Sequence, residues 1–235
     1  MIGVTGFWLV MMGLLVRLEI HPEATDILDV PVSFVLRTMF KHGQVSMLTV
    51  RDDTRDLGSI SIRPSITGSD SRMMDFSGRL SVTPAQRVNF MGTVDLDETL
   101  RMRDFHMDLS TLDPPYRVRV SGDAALKSLS YEVRLENLPV AKQTLPMNAA
   151  SIGTALAQNL GMDPRALPIA PSSIAAPAIT ARETELMLGG MQQEVYQVTV
   201  TENTAAVIDF YVTELGQIIL AKTGFGYTLS SEEWQ

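Results

Sequence analysis

The chain has 235 residues, no cysteine, and 27 acidic against 19 basic side chains, for a net charge of −8. The missing cysteines exclude a disulfide framework, a thiolate metal site, a Cys nucleophile and a lipidated N-terminal Cys. The acidic balance argues against nucleic acid and against a polybasic membrane-surface patch, since both need clustered Lys and Arg.

The first segment with a physical signature is Ile2–Val16, IGVTGFWLVMMGLLV, which carries no charge. As a helix it would cover about 22 Å of a hydrocarbon core about 30 Å thick. Extension through Leu18 and Ile20 comes closer to a full span if Arg17 and Glu19 snorkel to the headgroups. The run fits a signal-anchor or the apolar region of a secretory signal. No Lys or Arg precedes it, and no A-x-A site follows in Arg17-Leu18-Glu19-Ile20-His21-Pro22. The competing reading is a buried N-terminal core helix. The length and charge criteria favour a membrane or export segment over residues 1–20, with membrane contact through 2–20.

Residues 21–44 read as a tether and a short helix. In Pro31–Phe40 the residues Val32, Val35, Leu36 and Met39 fall at i, i+3, i+4 and i+7, the stripe of an amphipathic helix. Pro31 suits the first turn and Gly43 the end. The β-branched content makes a strand the competing reading.

From Val45 the apolar period becomes two. Leu57–Pro64 alternates, with Pro64 expected to stop it. Met74–Val82 and Val88–Leu96 each show one apolar face, and Asp97-Glu98-Thr99 reads as a hairpin loop into Leu100–Ser110. In that strand Leu100 and Met102 are apolar at even numbers, but Phe105, Met107 and Leu109 at odd ones. A side-chain period of two cannot change parity without an extra residue, so a β-bulge is predicted near Arg103-Asp104. Tyr116–Val120, turning at Gly122-Asp123, Leu129–Leu135 and Val140–Leu145 continue the series.

A helix is predicted from Asn148 to about Leu160. Pro164, Pro168, Pro171 and Pro177 then exclude a helix or a central strand. Strands resume over Thr184–Leu188, Gln193–Thr201, Ala205–Thr213, Gln217–Lys222 and Gly226–Leu229. The organisation predicted is a mainly β chain: one antiparallel domain over 45–235, interrupted by a helix and Pro-rich crossover at 147–179. One-sided strands with short turns point to a curved antiparallel meander or half-open barrel, and the lack of interposed helices argues against a parallel sheet.

Chemical motifs are sparse. Asp104, His106 and Asp108 share one strand face and have the residue types of an acid/base unit or part of a metal site. A solvated strand face explains them more simply. Asp95-Leu96-Asp97-Glu98 lacks calcium-loop spacing and reads as a charged hairpin tip. There is no Gly-x-Ser-x-Gly elbow, Walker loop or dinucleotide fingerprint. No catalytic residue, metal or cofactor is expected, and the chain is read as non-enzymatic. Met47, Met74, Met91, Met102, Met107 and Met187 fall in predicted strands. Methionine suits surfaces that accept variable apolar partners as well as ordinary core filling.

An apolar leader, a long meander, an interrupting helix and a strand pair carrying Asp209-Phe210-Tyr211-Val212-Thr213-Glu214-Leu215-Gly216-Gln217-Ile218-Ile219 together resemble bacterial envelope proteins of the LolA/LolB lipoprotein-carrier type. A second resemblance is to membrane-anchored bridge proteins of the AsmA type. Both imply an apolar groove that takes lipid, in a chain anchored to the bacterial inner membrane with a periplasmic domain or secreted to the periplasm. On that expectation Phe76, Leu80, Phe90, Met102, Phe105 and Met107 line the groove, the 148–160 helix partly covers it, and the ligand is a lipid or another apolar molecule. The alternative is a structural or assembly component that binds other envelope proteins through strand edges.

Overall fold

A computed structural model describes residues 30–231 apart from 53–54, 69–70, 84–85, 113–114, 137, 147–177, 189, 203–204 and 225. The apolar leader, the expected 148–160 helix and the Pro-rich crossover lie outside the described residues. Among those described, helix α1 spans Val32–His42, and no helix is long and apolar enough to cross a membrane. The strands are β1 (Ser46–Arg51), β2 (Asp56–Ile66), β3 (Ser71–Thr83), β4 (Gln86–Asp97), β5 (Met102–Thr111), β6 (Tyr116–Asp123), β7 (Ser128–Leu135), β8 (Leu138–Pro146), β9 (Ala178–Leu188), β10 (Met191–Glu202), β11 (Ala205–Thr213), β12 (Ile218–Thr223) and β13 (Thr228–Ser230).

All thirteen form a single antiparallel sheet in the order β8-β7-β6-β5-β4-β3-β2-β1-β13-β12-β11-β10-β9. Every neighbouring pair except β1 and β13 is consecutive in sequence. The mainly β, curved-meander class expected from the period-two pattern is therefore the observed one. The predicted bulge is present: Asp95 pairs with Asp104 but Leu96 with Met102, so Arg103 is the extra residue. It lets Met102 and Phe105, of opposite parity, both turn into the core.

Two local expectations are corrected. Pro64 does not stop β2, which runs on to Ile66. The β1–β2 ladder begins at Ser46 and Ile62, so Pro64 lies beyond the first residue of β1, where its missing N–H costs no ladder bond on that side. Gly122 and Asp123 are not turn residues; β6 includes them, and the turn is at 124–127.

Helix α1 is amphipathic as its stripe predicts. Val32, Val35, Met39 and Phe40 are buried, and Leu36 packs partly buried against the same cluster. Gly43 takes the left-handed conformation at φ 60°, and its N–H donates to the Met39 carbonyl. Near the helix start the Phe34 ring meets Tyr196 of β10 edge-on, with centroids 5.7 Å apart. At its end, a Cβ on Gly43 would stand 3.5 Å from the Pro64 carbonyl oxygen of β2. Five strand spacings separate β10 from β2, an arc of about 24 Å at the usual spacing. The helix between those contacts is only about 14 Å long. Strands five apart in the sheet thus both reach one short helix, so the sheet bends around α1.

The curl produces one main core, beside a small second cluster of buried Val195 and Ile219 with Leu186 and Tyr211 packed against them. The main core runs without interruption from Ile179, Val198 and Ile208 through Leu229, Leu48 and Ile60 to Phe76, Phe90, Phe105 and Leu129, with α1 included. The join between the halves of the chain is narrow. β13 pairs with β1 only at Thr49, Val50 and Arg51. Beyond it, buried Ser46 fills the gap, accepting through Oγ the Ile218 N–H of β12 at 2.8 Å. The β11–β12 turn presses on α1 so closely that a Cβ on Gly216, at φ +77°, would lie 2.5 Å from the Met39 Cα.

Two substitutions test this join. Ser46→Ala leaves the Ile218 N–H buried without its acceptor and is expected to cost ~1–3 kcal/mol in urea denaturation. Gly216→Ala meets both a positive φ and the helix backbone, and is expected to cost at least about 2 kcal/mol. Wild-type midpoints for both variants would mean that α1 and the seam do not hold the curl.

Candidate functional site: the concave face of strands β3 to β7

The concave face of β3–β5 is built from aromatic–glycine pairs. Phe76 of β3 stands opposite Gly92 of β4, and Gly78 of β3 opposite Phe90 of β4. A Cβ on Gly92 would lie 2.2 Å from the Phe76 ring, and one on Gly78 would lie 2.4 Å from the Phe90 ring. Each ring therefore lies flat across a bare backbone, which only glycine permits. Ring-over-glycine pairing pins the register and lets the sheet bend.

The six residues expected to line a groove are on this face. Phe76, Leu80, Phe90, Met102 and Phe105 are all buried in the main core cluster, and Met107 packs partly buried against it. Leu80 pairs with Val88 across β3–β4, and Met107 with Gly92 across β4–β5. Further residues that the alternation implied, but that were not singled out, share the surface: Met74, Val94, Leu96, Leu129 and half-buried Val120. Apart from the bulge, their signal was the period-two pattern itself.

The methionines divide. Met74 and Met102 are buried, whereas Met47, Met91 and Met187 are exposed at 59 %, 62 % and 62 %. Strand parity explains Met91, which is flanked by the inward residues Phe90 and Gly92. The strand methionines therefore do not share one face: Met74 and Met102 are ordinary core filling, and Met47, Met91 and Met187 are not.

The convex face is polar and internally paired. Thr93 donates to Asp75, Ser71 to Asp95, and Arg117 and Arg119 both approach Asp108. Asp104 and His106 are exposed on this face. Registers place Asp95, Asp104 and Asp123 side by side across β4, β5 and β6. Partial burial, then the like charges of Asp95 and Asp123, push the Asp104 carboxyl above its ordinary pKa, against the opposing pull of His106 and Arg103. At the β4–β5 turn, partial burial works against ionised Asp97. It is outweighed by the Thr99 hydroxyl, the N–H groups of Arg101 and Thr99, and the charge of Arg103, which hold that carboxyl below its ordinary value. Asp97 Oδ1 accepts from the Thr99 and Arg101 N–H groups at 2.8 and 2.9 Å, so the charged tip is a self-capped turn. Among the described residues no group of three or more His, Asp or Glu side chains could hold a metal ion.

A carboxyl whose pKa is raised on folding weakens the fold as pH climbs from the unfolded value through the raised one, and it has no such effect below both. Asp104→Asn is therefore expected to stabilise the protein at pH 7. The gain should be about a few tenths of a kcal/mol because the site is solvent-screened. It should vanish near pH 3 and shrink in high salt. Thermal melts across that range check it; a loss of stability at pH 7 would refute the like-charge account.

No protein-family model matches this chain, and no curated protein matches it. Among solved structures, the chain is similar to a beta-barrel-like protein of domain of unknown function DUF1849 from Brucella abortus. The two share 9 % identity and a TM-score of 0.43 over 80 % of this chain and 94 % of that one.

Proposed function

We propose that this is a non-catalytic, membrane-tethered protein of the extracytoplasmic side of a bacterial envelope, and that its half-open barrel takes a lipid acyl chain or another apolar ligand against the concave face. The observation that carries this reading is the combination of an apolar concave surface with a sheet that does not close. The surface runs continuously from β10 to β7. The sheet ends at β8 and β9, which are not paired with each other.

The strand count favours this openness. With thirteen antiparallel strands, β8 and β9 run in the same direction. Closing the barrel would need one parallel pair at that seam, between edges whose ladders are otherwise all antiparallel. An apolar ligand would thus have a side entrance that a closed barrel lacks. Phe76, Phe90 and Met102 are themselves buried, so an entering chain would first meet the partly buried margin of the cluster at Met107, Leu109 and Val120, where the methionine adapts to a chain of variable shape. The reading assigns no catalytic residue and no cofactor. The membrane anchor is residues 2–20, read from their apolar run.

A second reading is favoured by a different observation. Edge strand β8 exposes Leu138 at 69 % and Val140 at 62 %. An edge with exposed aliphatic side chains suits strand addition by an envelope protein partner, as in a structural or assembly component.

The test is to purify the full chain from membranes in mild detergent, extract it, and analyse the extract by lipid mass spectrometry. A stoichiometric lipid is expected. A fluorescent fatty acid should bind, and Met107→Asp, at the partly buried margin of the cluster, should weaken that binding roughly ten-fold, about 1.4 kcal/mol. Lipid-free protein from several preparations, with no fatty-acid binding, would overturn the groove reading. Partner capture that depends on β8 would then favour the assembly reading.

A further inference from the structure

The strand registers sort the turns of the sheet into two ends. One end carries the β2–β3, β4–β5, β6–β7, β9–β10 and β11–β12 turns together with the start of β1; the other carries the β1–β2, β3–β4, β5–β6, β7–β8, β10–β11 and β12–β13 turns. The first end is the one α1 crosses. Tyr196, which holds Phe34, is one residue inside the Val195–Thr213 pairing that ends β11, and Gly43 lies beside Pro64 near the end of β2.

That end exposes large apolar side chains turn by turn. Ile66 is 56 % exposed, Leu126 73 %, Met187 62 %, Met191 75 % and Leu215 57 %. The β9–β10 hairpin also stands proud of its neighbour: residues 191–194 pair with β9 but lie past the last residue of β11, an overhang of about 13 Å. Met187 and Met191 are at its tip. Exposed apolar residues scattered singly need no explanation. The other end also exposes Leu112, Tyr116, Leu138 and Val140, but at two turns only; at the α1 end five such residues on four turns, two at a projecting tip, form a rim.

The occupant is indicated by where the chain leads. Val30 packs against the core next to the start of α1. Residues 17–29 separate it from the apolar run. Even fully extended, that stretch reaches only about 45 Å. The longest strands, of 12 and 13 residues, are themselves about 40 Å long. If the apolar run is in a bilayer, facing the far end toward that bilayer would use up about two thirds of that reach, because strands tilted by about 35–45° span about 30 Å along the axis. Facing the α1 end toward it requires no such extension.

We infer that the α1 end of the sheet seats on the bilayer surface, with the tips of the β2–β3, β6–β7, β9–β10 and β11–β12 turns dipping into the headgroup–acyl boundary. The inference rests on the tethered reading above and adds an orientation and a lipid contact surface to it. The rim's charges are mixed: exposed Lys41, Arg101 and Lys127 stand against exposed Glu98, Glu185, Glu194 and Glu214. Seating is therefore apolar rather than electrostatic, and zwitterionic lipid suffices. It would also present the concave face edge-on to the membrane.

The absence of cysteine makes the test direct, because any introduced thiol is unique. The full chain carries one environment-sensitive dye, at Leu126→Cys, Met191→Cys or Leu215→Cys on the rim, or at Leu112→Cys or Leu138→Cys on the far end. Each chain is reconstituted into phosphatidylcholine vesicles bearing nitroxide-labelled lipid. An unchanged thermal melt qualifies each chain, and Ile66→Cys replaces any rim site that melts early. Rim labels are expected to shift blue and to be quenched roughly two-fold, as for side chains sunk ~5–10 Å into the boundary. Far-end labels should report water. Chains that float with the vesicles while rim labels report water, or while far-end labels are the ones quenched, overturn the seating and leave the tether standing. Chains that stay in the aqueous fraction overturn the tether, and the seating with it.

Discussion

A sheet with one apolar face must bury that face against something, and the described part of this protein supplies only one short helix to cover thirteen strands. Among the described residues, side chains from both halves of the sheet and from α1 bury that face in one cluster. α1 is the post around which the β10-to-β2 sector turns, and the rest of the concave surface continues from that bend. Each later feature depends on this constraint. Glycines face Phe76 and Phe90 because each ring lies across the opposite backbone, in the space a Cβ would fill. The Arg103 bulge keeps the apolar face turned inward where the pleat would otherwise carry Phe105 outside.

The topology makes the curl inexpensive to assemble and leaves one point of dependence. Almost every ladder joins strands adjacent in sequence, so most registers are set by local hairpins with small loop-closure cost. Only β1 with β13 brings distant parts of the chain together. That ladder is three pairs long and is extended by a side chain, Ser46, acting as a backbone acceptor for Ile218. The sheet is thus a simple meander whose break lies between β8 and β9 rather than at the chain termini. The seam is reinforced where α1 and the Gly216 turn meet, not by more hydrogen bonds.

This division explains what the sequence made legible. Period-two alternation locates strands and assigns faces, so Ala205–Thr213 is found to the residue, and the parity change between Met102 and Phe105 announces its bulge. The amphipathic stripe of α1 is equally plain, yet nothing local says that this helix enters the core rather than standing apart as a linker. That outcome depends on Tyr196, Pro64 and Gly216, each far away in sequence. Pro64 misled because a proline's tolerance depends on whether a neighbouring strand needs its N–H, and β1 does not extend to it. Methionine content misled because residue type does not fix which face it occupies; parity does, and Met91 is on the wet side. For the site, the six concave residues were identifiable as one face, whereas the ring-over-glycine pairing required the register of β3 against β4.

Parity also bears on what an open barrel of this kind can do. In an antiparallel sheet with an even number of strands, the two edges run in opposite directions and can zip together. With thirteen, β8 and β9 run alike, and a single additional strand running against both is the antiparallel way to join them. The same arithmetic therefore leaves the concave face a lateral opening and gives edge β8 an unmatched ladder with Leu138 and Val140 outward. On the two proposed readings, apolar-ligand binding and strand addition would be two uses of one gap. Occupation of the gap by a strand would close the side entrance through which an acyl chain would reach the concave face. Each use would weaken the other through a shared coupling free energy, felt equally from either side.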